Sequence, residues 1–281
     1  MQIIQMAFPE GKTKAFTVSY DDGVRQDERL IAAMRKYGIR GTFNLNYGTL
    51  GRAGHAALDG HDTDISTFRA EELRTMYEGQ EIACHALTHK KLTEIPAGTA
   101  ACEVIEDRRN LERVLNRLVT GFAYPFGAYD ETVLQVLRSC GIRYARTVES
   151  THAFGLPQEF LTWHPTCHHN DERVTELLET FCGEPAGRDG ARLFYLWGHA
   201  YEFDQRDNWE RAEEIFSYVN RYGAEIWFAT NGEIRDYTEA FRRLEFSADG
   251  GLAVNRTALD VWLLADGSAV CVPAGETVRL N

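Results

Sequence analysis

Ala15-Phe-Thr-Val-Ser-Tyr-Asp-Asp-Gly23 is an apolar strand closed by two adjacent carboxylates and a glycine. A second stretch stands in register with it. In His85-Ala-Leu-Thr-His89, two histidines lie four residues apart, just after the apolar run 81–84. One carboxylate and two imidazoles make a set of three ligands that binds a divalent metal and leaves a position open for water. The remaining carboxylate is then free to act as a base on that water. The two stretches together point to metal-assisted hydrolysis.

Outward from them, strand-like and helix-like segments alternate up to about residue 243. Strands are expected at 16–20, 41–46, 81–85, 121–124, 142–148, 192–199 and 225–229. Helices are expected at 27–37, 70–78, 99–118, 130–140, 171–181, 209–222 and 232–243, with Gly38 and Gly141 as stop signals. The helix over 99–118 has the clearest period, carried by Val104, Leu111, Leu115 and Leu118. Such alternation implies a parallel sheet, because each crossover helix returns the chain to the same edge. About seven units, with polar residues gathered where strands end, predict an α/β fold over 1–243, a distorted (β/α) barrel more than an open sheet. In either case the loops after the strands form the active face, and Asp21, Asp22, His85, His89, Pro125, Phe126 and His199 fall there. Residues 244–281 differ. Turn signals at Asp249-Gly-Gly251 and Asp266-Gly267 between strand-like runs predict a small β-hairpin appendage packed on the barrel.

A chain of 281 residues, 44% hydrophobic and 26% charged, can bury a large core. Its net charge of −12, from 42 acidic and 30 basic residues, argues against nucleic acid or an anionic membrane surface as partner. Pro9-Glu-Gly11 interrupts the N-terminal apolar residues, so no signal peptide is read there, and no segment approaches transmembrane length. The six cysteines are scattered without a Cys-x-x-Cys pair and fit reduced thiols. A cytoplasmic location is the expectation.

Over residues 14–235 these features resemble the polysaccharide deacetylase family, the group with the NodB-like domain. The family's first motif stands here as Ser19-Tyr-Asp-Asp-Gly23, and its second as His85-Ala-Leu-Thr-His89, with Ala86 in place of a small hydroxyl residue. The third stands as Ala123-Tyr-Pro-Phe-Gly127, and the last, a hydrophobic strand ending in histidine, as Leu196-Trp-Gly-His199. The resemblance implies Asp21 as general base and Asp22, His85 and His89 as ligands of one divalent metal. Zinc is expected first, with cobalt, nickel, manganese or iron also suited. It further implies His199 as the acid on the leaving group, the Phe126 N–H as an oxyanion donor, and Tyr124 and Trp197 as substrate contacts. The substrate it implies is an N-acetylated, second an O-acetylated, sugar, oligosaccharide or glycan precursor.

One departure stands out. The third motif normally begins with an arginine that orients the catalytic aspartate, and Ala123 stands here instead. Arg146, near the end of the next strand, is the candidate replacement. The region matching the family's Asp-centred fourth motif reads Trp163-His-Pro-Thr-Cys-His-His-Asn-Asp171. Its three histidines read as a substrate-binding or polar loop ahead of an extra metal site, because no carboxylate or thiol spacing completes a set. Two rival functions remain on sequence grounds. One is hydrolysis of another C–N bond, such as a cyclic amide or ureide. The other is an inactive carbohydrate-binding protein, supported only by the missing arginine.

Overall fold

The computed structural model describes residues 3–58, 61–184 and 190–280. Its main sheet has eight strands: β1 (Lys14–Asp21), β2 (Thr42–Leu45), β3 (Glu81–Cys84), β4 (Gly121–Ala123), β5 (Tyr144–Arg146), β6 (Cys167–His168), β7 (Arg192–Gly198) and β8 (Ile226–Phe228). Every pairing is parallel, and seven strands follow the order β5-β4-β3-β2-β1-β7-β6. All eight residues of β1 are buried, as a strand with neighbours on both edges and covered faces requires.

Two irregularities distort the barrel. β7 runs beside β1 over its first seven residues. The other edge of β1 is divided: β8 pairs with residues 14–16 and β2 with residues 19–21. β8 therefore supports the base of β1 and leaves its carboxylate end to β2. At the far side, Trp163 bridges to β5: its N–H donates to Ala145 O and its carbonyl accepts from Thr147 N, both at 3.0 Å. A few residues on, Cys167 pairs with Leu196 in β7. Residues 163–168 thus draw the two ends of the sheet together into a ring.

The crossover helices are α1 (Asp27–Lys36), α2 (Leu73–Met76), α3 (Ala97–Leu115), α4 (Glu131–Ser139), α5 (Val174–Gly183), α6 (Tyr201–Gln205), α7 (Glu210–Asn220) and α8 (Asn231–Arg242). Local chemistry sets several ends. Asp130 caps α4 by accepting from Val133 N at 2.8 Å, and Thr230 with Glu233 forms a capping box on α8. The expected helix through 118 stops at Leu115, because Asn116 adopts φ +54° and turns the chain; Leu118 is consequently 72% exposed and not core. The expected helix over 70–78 is a 3₁₀ turn, Ala70–Glu72, followed by the single turn of α2. The two-residue strand β6 and the five-residue helix α6 carried no periodicity long enough to read.

The tail forms two three-stranded antiparallel sheets, and one of them takes in Ile4–Ala7, which pairs with Val261–Ala265. Residues 4–7, assigned with the barrel from sequence, therefore sit in the appendage's sheet. The six cysteines are free thiols, and no helix among the described residues is long and apolar enough to cross a membrane.

Candidate active site

The chemistry-bearing residues gather where β1, β3, β4, β5 and β7 end. β1 finishes at Asp21, and the chain then enters left-handed backbone at Asp22 (φ +77°) and Gly23 (φ +66°). This break in the strand lets the two neighbouring carboxylates diverge. Ala86, His89 and Phe126 are also left-handed, at φ +61°, +58° and +60°. Each costs on the order of 1–3 kcal/mol in a non-glycine residue, a strain that concentrates at functional sites. Histidines four residues apart could share one metal if their segment made a helical turn. Instead, positive φ at Ala86 and His89 folds a tight loop that turns both rings inward, 4.7 Å apart.

Asp22 Oδ1 lies 3.8 Å from His85 Nε2 and 3.7 Å from His89 Nε2. All three ligand atoms lie within 4.8 Å of one another. Ligands about 2.1 Å from a tetrahedral divalent ion stand roughly 3.4 Å apart, so the set matches a metal's dimensions. The donor chemistry agrees. His85 Nδ1 hydrogen-bonds Ala123 O at 2.8 Å, which places the ring proton on Nδ1 and leaves the Nε2 lone pair facing Asp22 and His89. Burial pushes the His85 imidazole below its usual pKa, Asp21 and Asp22 opposing, so the ring is neutral as a ligand must be.

The histidine loop is clamped from α3 by two carboxylates that sequence reading missed. Asp107 accepts the His85 N–H at 3.0 Å and the Tyr47 N–H at 2.7 Å. Glu103 accepts from the backbone and the hydroxyl of Thr88, each at 2.8 Å. Both are buried, four residues apart on the apolar face of α3. Acids interrupting an apolar stripe at helical spacing were the available signal.

Asp21 is held at both oxygens. Asn44 Nδ2 donates to Oδ1 at 2.7 Å, and Arg146 Nη2 donates to Oδ2 at 2.5 Å. Arg146 is fully buried beneath the Trp197 ring, 4.4 Å from its centroid. Burial would raise the Asp21 carboxyl, but Arg146, His85, His199 and Asn44 together bring it down to about 2. It is a carboxylate at any working pH.

His199 faces Asp21 Oδ2 with Nε2 at 3.9 Å and turns Nδ1 to Glu202 Oε1 at 3.2 Å. Burial disfavours its charge, yet Glu202, Asp21 and Asp22 outweigh that and raise its pKa to about 9. Glu202, on α6, is a third acidic residue the sequence did not disclose. Its other oxygen, Oε2, meets His168 Nε2 at 3.0 Å and His169 Nε2 at 3.1 Å. Burial alone would raise this carboxyl, but hydrogen bonds from His168, His169 and His199 hold it far below the usual carboxylate range. Two of the three histidines read as a polar loop thus serve one carboxylate, while His164 stands apart on Thr147 Oγ1 at 2.6 Å.

Three expected substrate contacts are distributed unevenly. Phe126 is 65% exposed, its ring 4.8 Å from that of His89. Tyr124 is fully buried, and its hydroxyl donates to Leu161 O at 2.7 Å, so its side chain belongs to the wall and not to the cleft. Trp197 is buried over Arg146 and offers no free face to a sugar.

Residues 9–145 match the family model described as polysaccharide deacetylase. No curated protein matches the chain in sequence. A protein from Mycobacterium smegmatis described as a polysaccharide deacetylase shares the fold, with 17% identity, TM-score 0.60, and coverage of 85% of this chain and 94% of that one. Peptidoglycan deacetylase PdaC from Bacillus subtilis gives 16% identity, TM-score 0.50, and coverage of 84% and 97%. The chain spans 55% of the length of the Streptococcus pyogenes deacetylase PplD, at 20% identity, 47% coverage of this chain and TM-score 0.41, a likeness too distant to carry weight. At such identities the solved structures establish a common distorted (β/α) barrel.

Proposed function

Because residues 9–145 match the polysaccharide deacetylase family model, we propose that this chain is a metal-dependent hydrolase that removes acetyl groups from an N-acetylated sugar, oligosaccharide or glycan precursor. The observation that carries the reading is the placement of two separate carboxylate functions on neighbouring residues. Asp22 joins His85 and His89 at ligand spacing, while Asp21 is turned to Arg146, Asn44 and His199.

Asp22, His85 and His89 would hold one divalent cation, zinc first. Such an ion supplies Lewis acidity at an acyl carbonyl and lowers the pKa of water. The protein's own groups do the rest. Asp21 accepts the proton of the attacking water, and Arg146 and Asn44 fix its direction. His199, kept as an imidazolium up to about pH 9, presents the Nε2 proton to the leaving nitrogen. Glu202 holds the opposite ring nitrogen, which sets the ring's orientation. The Phe126 N–H, in its left-handed turn beside His89, is the proposed donor to the developing oxyanion. In this reading Arg146 takes the place of the arginine absent at Ala123.

The test is acetate release from soluble N-acetyl and O-acetyl sugars by protein stripped of metal and reloaded with zinc, cobalt, nickel or manganese. Metal-restored release that falls about 10²–10⁴-fold in Asp21→Asn, with metal content retained, is the expected result. Stoichiometric metal binding with no acetate from any sugar would overturn the substrate class. No metal binding at all would overturn the mechanism.

A further inference from the structure

Residues 47–58 and 61–67, between β2 and α2, form a strap. It starts with the 3₁₀ turn Tyr47–Thr49 and carries the hairpin His55–Leu58 with His61–Asp64. The strap is fastened to the rest of the molecule along its length. Gly48 N donates to Leu87 O, Gly51 N to Phe68 O and Arg25 N to Ser66 O, all at 2.8 Å, and Gln26 Nε2 donates to Asp64 O at 2.6 Å. Between strap and barrel lies a cleft of about 290 Å³ that reaches Asp22 and His89. Its wall is mostly small and apolar, with Val24, Ala53, Ala56 and Ile65, and Tyr201 closes one side.

Arg25, bonded to the strap through its backbone, and Arg52, on the strap itself, are used differently. Arg25 is committed to structure: it forms a two-pronged ion pair with Glu72 at 2.8 and 3.0 Å and covers the Phe68 ring at 4.6 Å. Arg52 lines the cleft, is exposed, and its guanidinium meets no carboxylate, carbonyl or ring among the described residues. Among the described residues it is the one lysine or arginine in a lining that also contains Asp22. In a chain of net charge −12, acidic partners for an arginine are plentiful. This guanidinium instead belongs to the lining of the cleft that reaches Asp22 and His89, where a ligand anion would meet it.

We propose that Arg52 is a specificity residue, and that the substrate is an N-acetylated sugar bearing a carboxylate or phosphate group that pairs with its guanidinium. This inference rests on the deacetylase reading above and names the substrate class for that site. A planar guanidinium suits either anion, since both offer two oxygens to its fork of N–H donors. The Tyr201 hydroxyl, without a protein partner among the described residues, provides a neighbouring donor for the same ligand.

The experiment compares three matched N-acetylated sugars, one neutral, one with a carboxylate and one with a phosphate, on the metal-loaded full chain at low ionic strength. Both kcat/KM and calorimetric binding are read for wild type, Arg52→Gln and Arg52→Lys. The expected result is a charged-over-neutral ratio that falls about tenfold in Arg52→Gln, mainly through KM, and is partly kept in Arg52→Lys. Which charged sugar is favoured identifies the anion. An unchanged ratio in Arg52→Gln, or a wild type that favours the neutral sugar, would overturn the inference while leaving the deacetylase reading intact. Selective binding of a charged sugar that depends on Arg52, without acetate release, would uphold the anion site and overturn the reaction instead.

Discussion

Two clusters in this molecule each bring two histidines and a carboxylate together, and they are built for different tasks. In Asp22–His85–His89 the carboxylate stands 3.7–3.8 Å from each imidazole nitrogen, too far for a hydrogen bond and right for a shared cation. In His168–His169–Glu202 the corresponding separations are 3.0 and 3.1 Å, direct hydrogen bonds. Proton placement agrees with the distances. His85 donates its Nδ1 proton to Ala123 O and frees Nε2, whereas His168 Nδ1 accepts from Asn170 N at 3.1 Å and so carries its proton on Nε2. The protonated Nε2 of His168, aimed at Glu202, anchors that carboxylate beneath His199 and offers no lone pair to a metal. For His85 and His168, the backbone group that meets the far ring nitrogen decides whether Nε2 is a free lone pair or a donor.

The largest effect should come from the first cluster. His89→Ala removes one of three ligands and is expected to take bound metal, measured by mass spectrometry after dialysis, from one ion per chain to none. His168→Ala should leave that stoichiometry at one. Metal loss in His168→Ala alone would invert the comparison.

Arg146→Ala comes next, since it strands the buried Asp21 carboxylate. Removing one partner of a buried pair costs about 3–5 kcal/mol, readable by denaturant unfolding. A cost under about 1 kcal/mol would show that Asn44 and solvent suffice for Asp21.

Glu202→Gln sharpens the distinction through pH. The groups facing His199 are Glu202 from α6 and Asp21 and Asp22 from the end of β1, and together they raise its pKa to about 9. Because the folded value lies above the unfolded one, this interaction stabilises the fold fully below about pH 6.5 and is lost as pH rises through about 9. Turnover should follow the same alkaline limb. In Glu202→Gln that limb should move toward neutrality, and kcat at pH 8 should fall about 10–100-fold with metal content intact. An unmoved limb would remove Glu202 from the reaction.

Gly198→Ala is the mildest. A Cβ there would lie 2.0 Å from His169 Nδ1, so the second cluster must shift, at about 1–3 kcal/mol in a thermal or denaturant melt. A neutral result would show that the His169 ring has room to move.

Legibility followed sequence distance. The strand ending in Asp21 and Asp22 and the histidine pair at 85 and 89 are local patterns, and composition marks them without neighbours. α1 and α4 were readable because apolar period and stop glycines agree over ten or so residues. β6 and α6 were hidden because two and five residues carry no period. Asn44, Asp107 and Glu202 were hidden for another reason: each acts on a residue it reaches only through the fold. Tyr124 shows the converse, a motif position whose side chain the packing turned into the wall.

By itself the sequence determined the parallel (β/α) order and which strand ends carry carboxylates and imidazoles, because periodicity and strand polarity are local properties of the chain. Only the tertiary structure decided that Arg146 lies on Asp21, that Glu202 holds His199 and gathers His168 and His169, and that residues 4–7 complete the tail's sheet. Those pairings depend on how far the barrel curls and where its ring closes. That curvature is set by the split edge of β1 and the bridge at Trp163, contacts between segments too far apart in the chain for any local pattern to record.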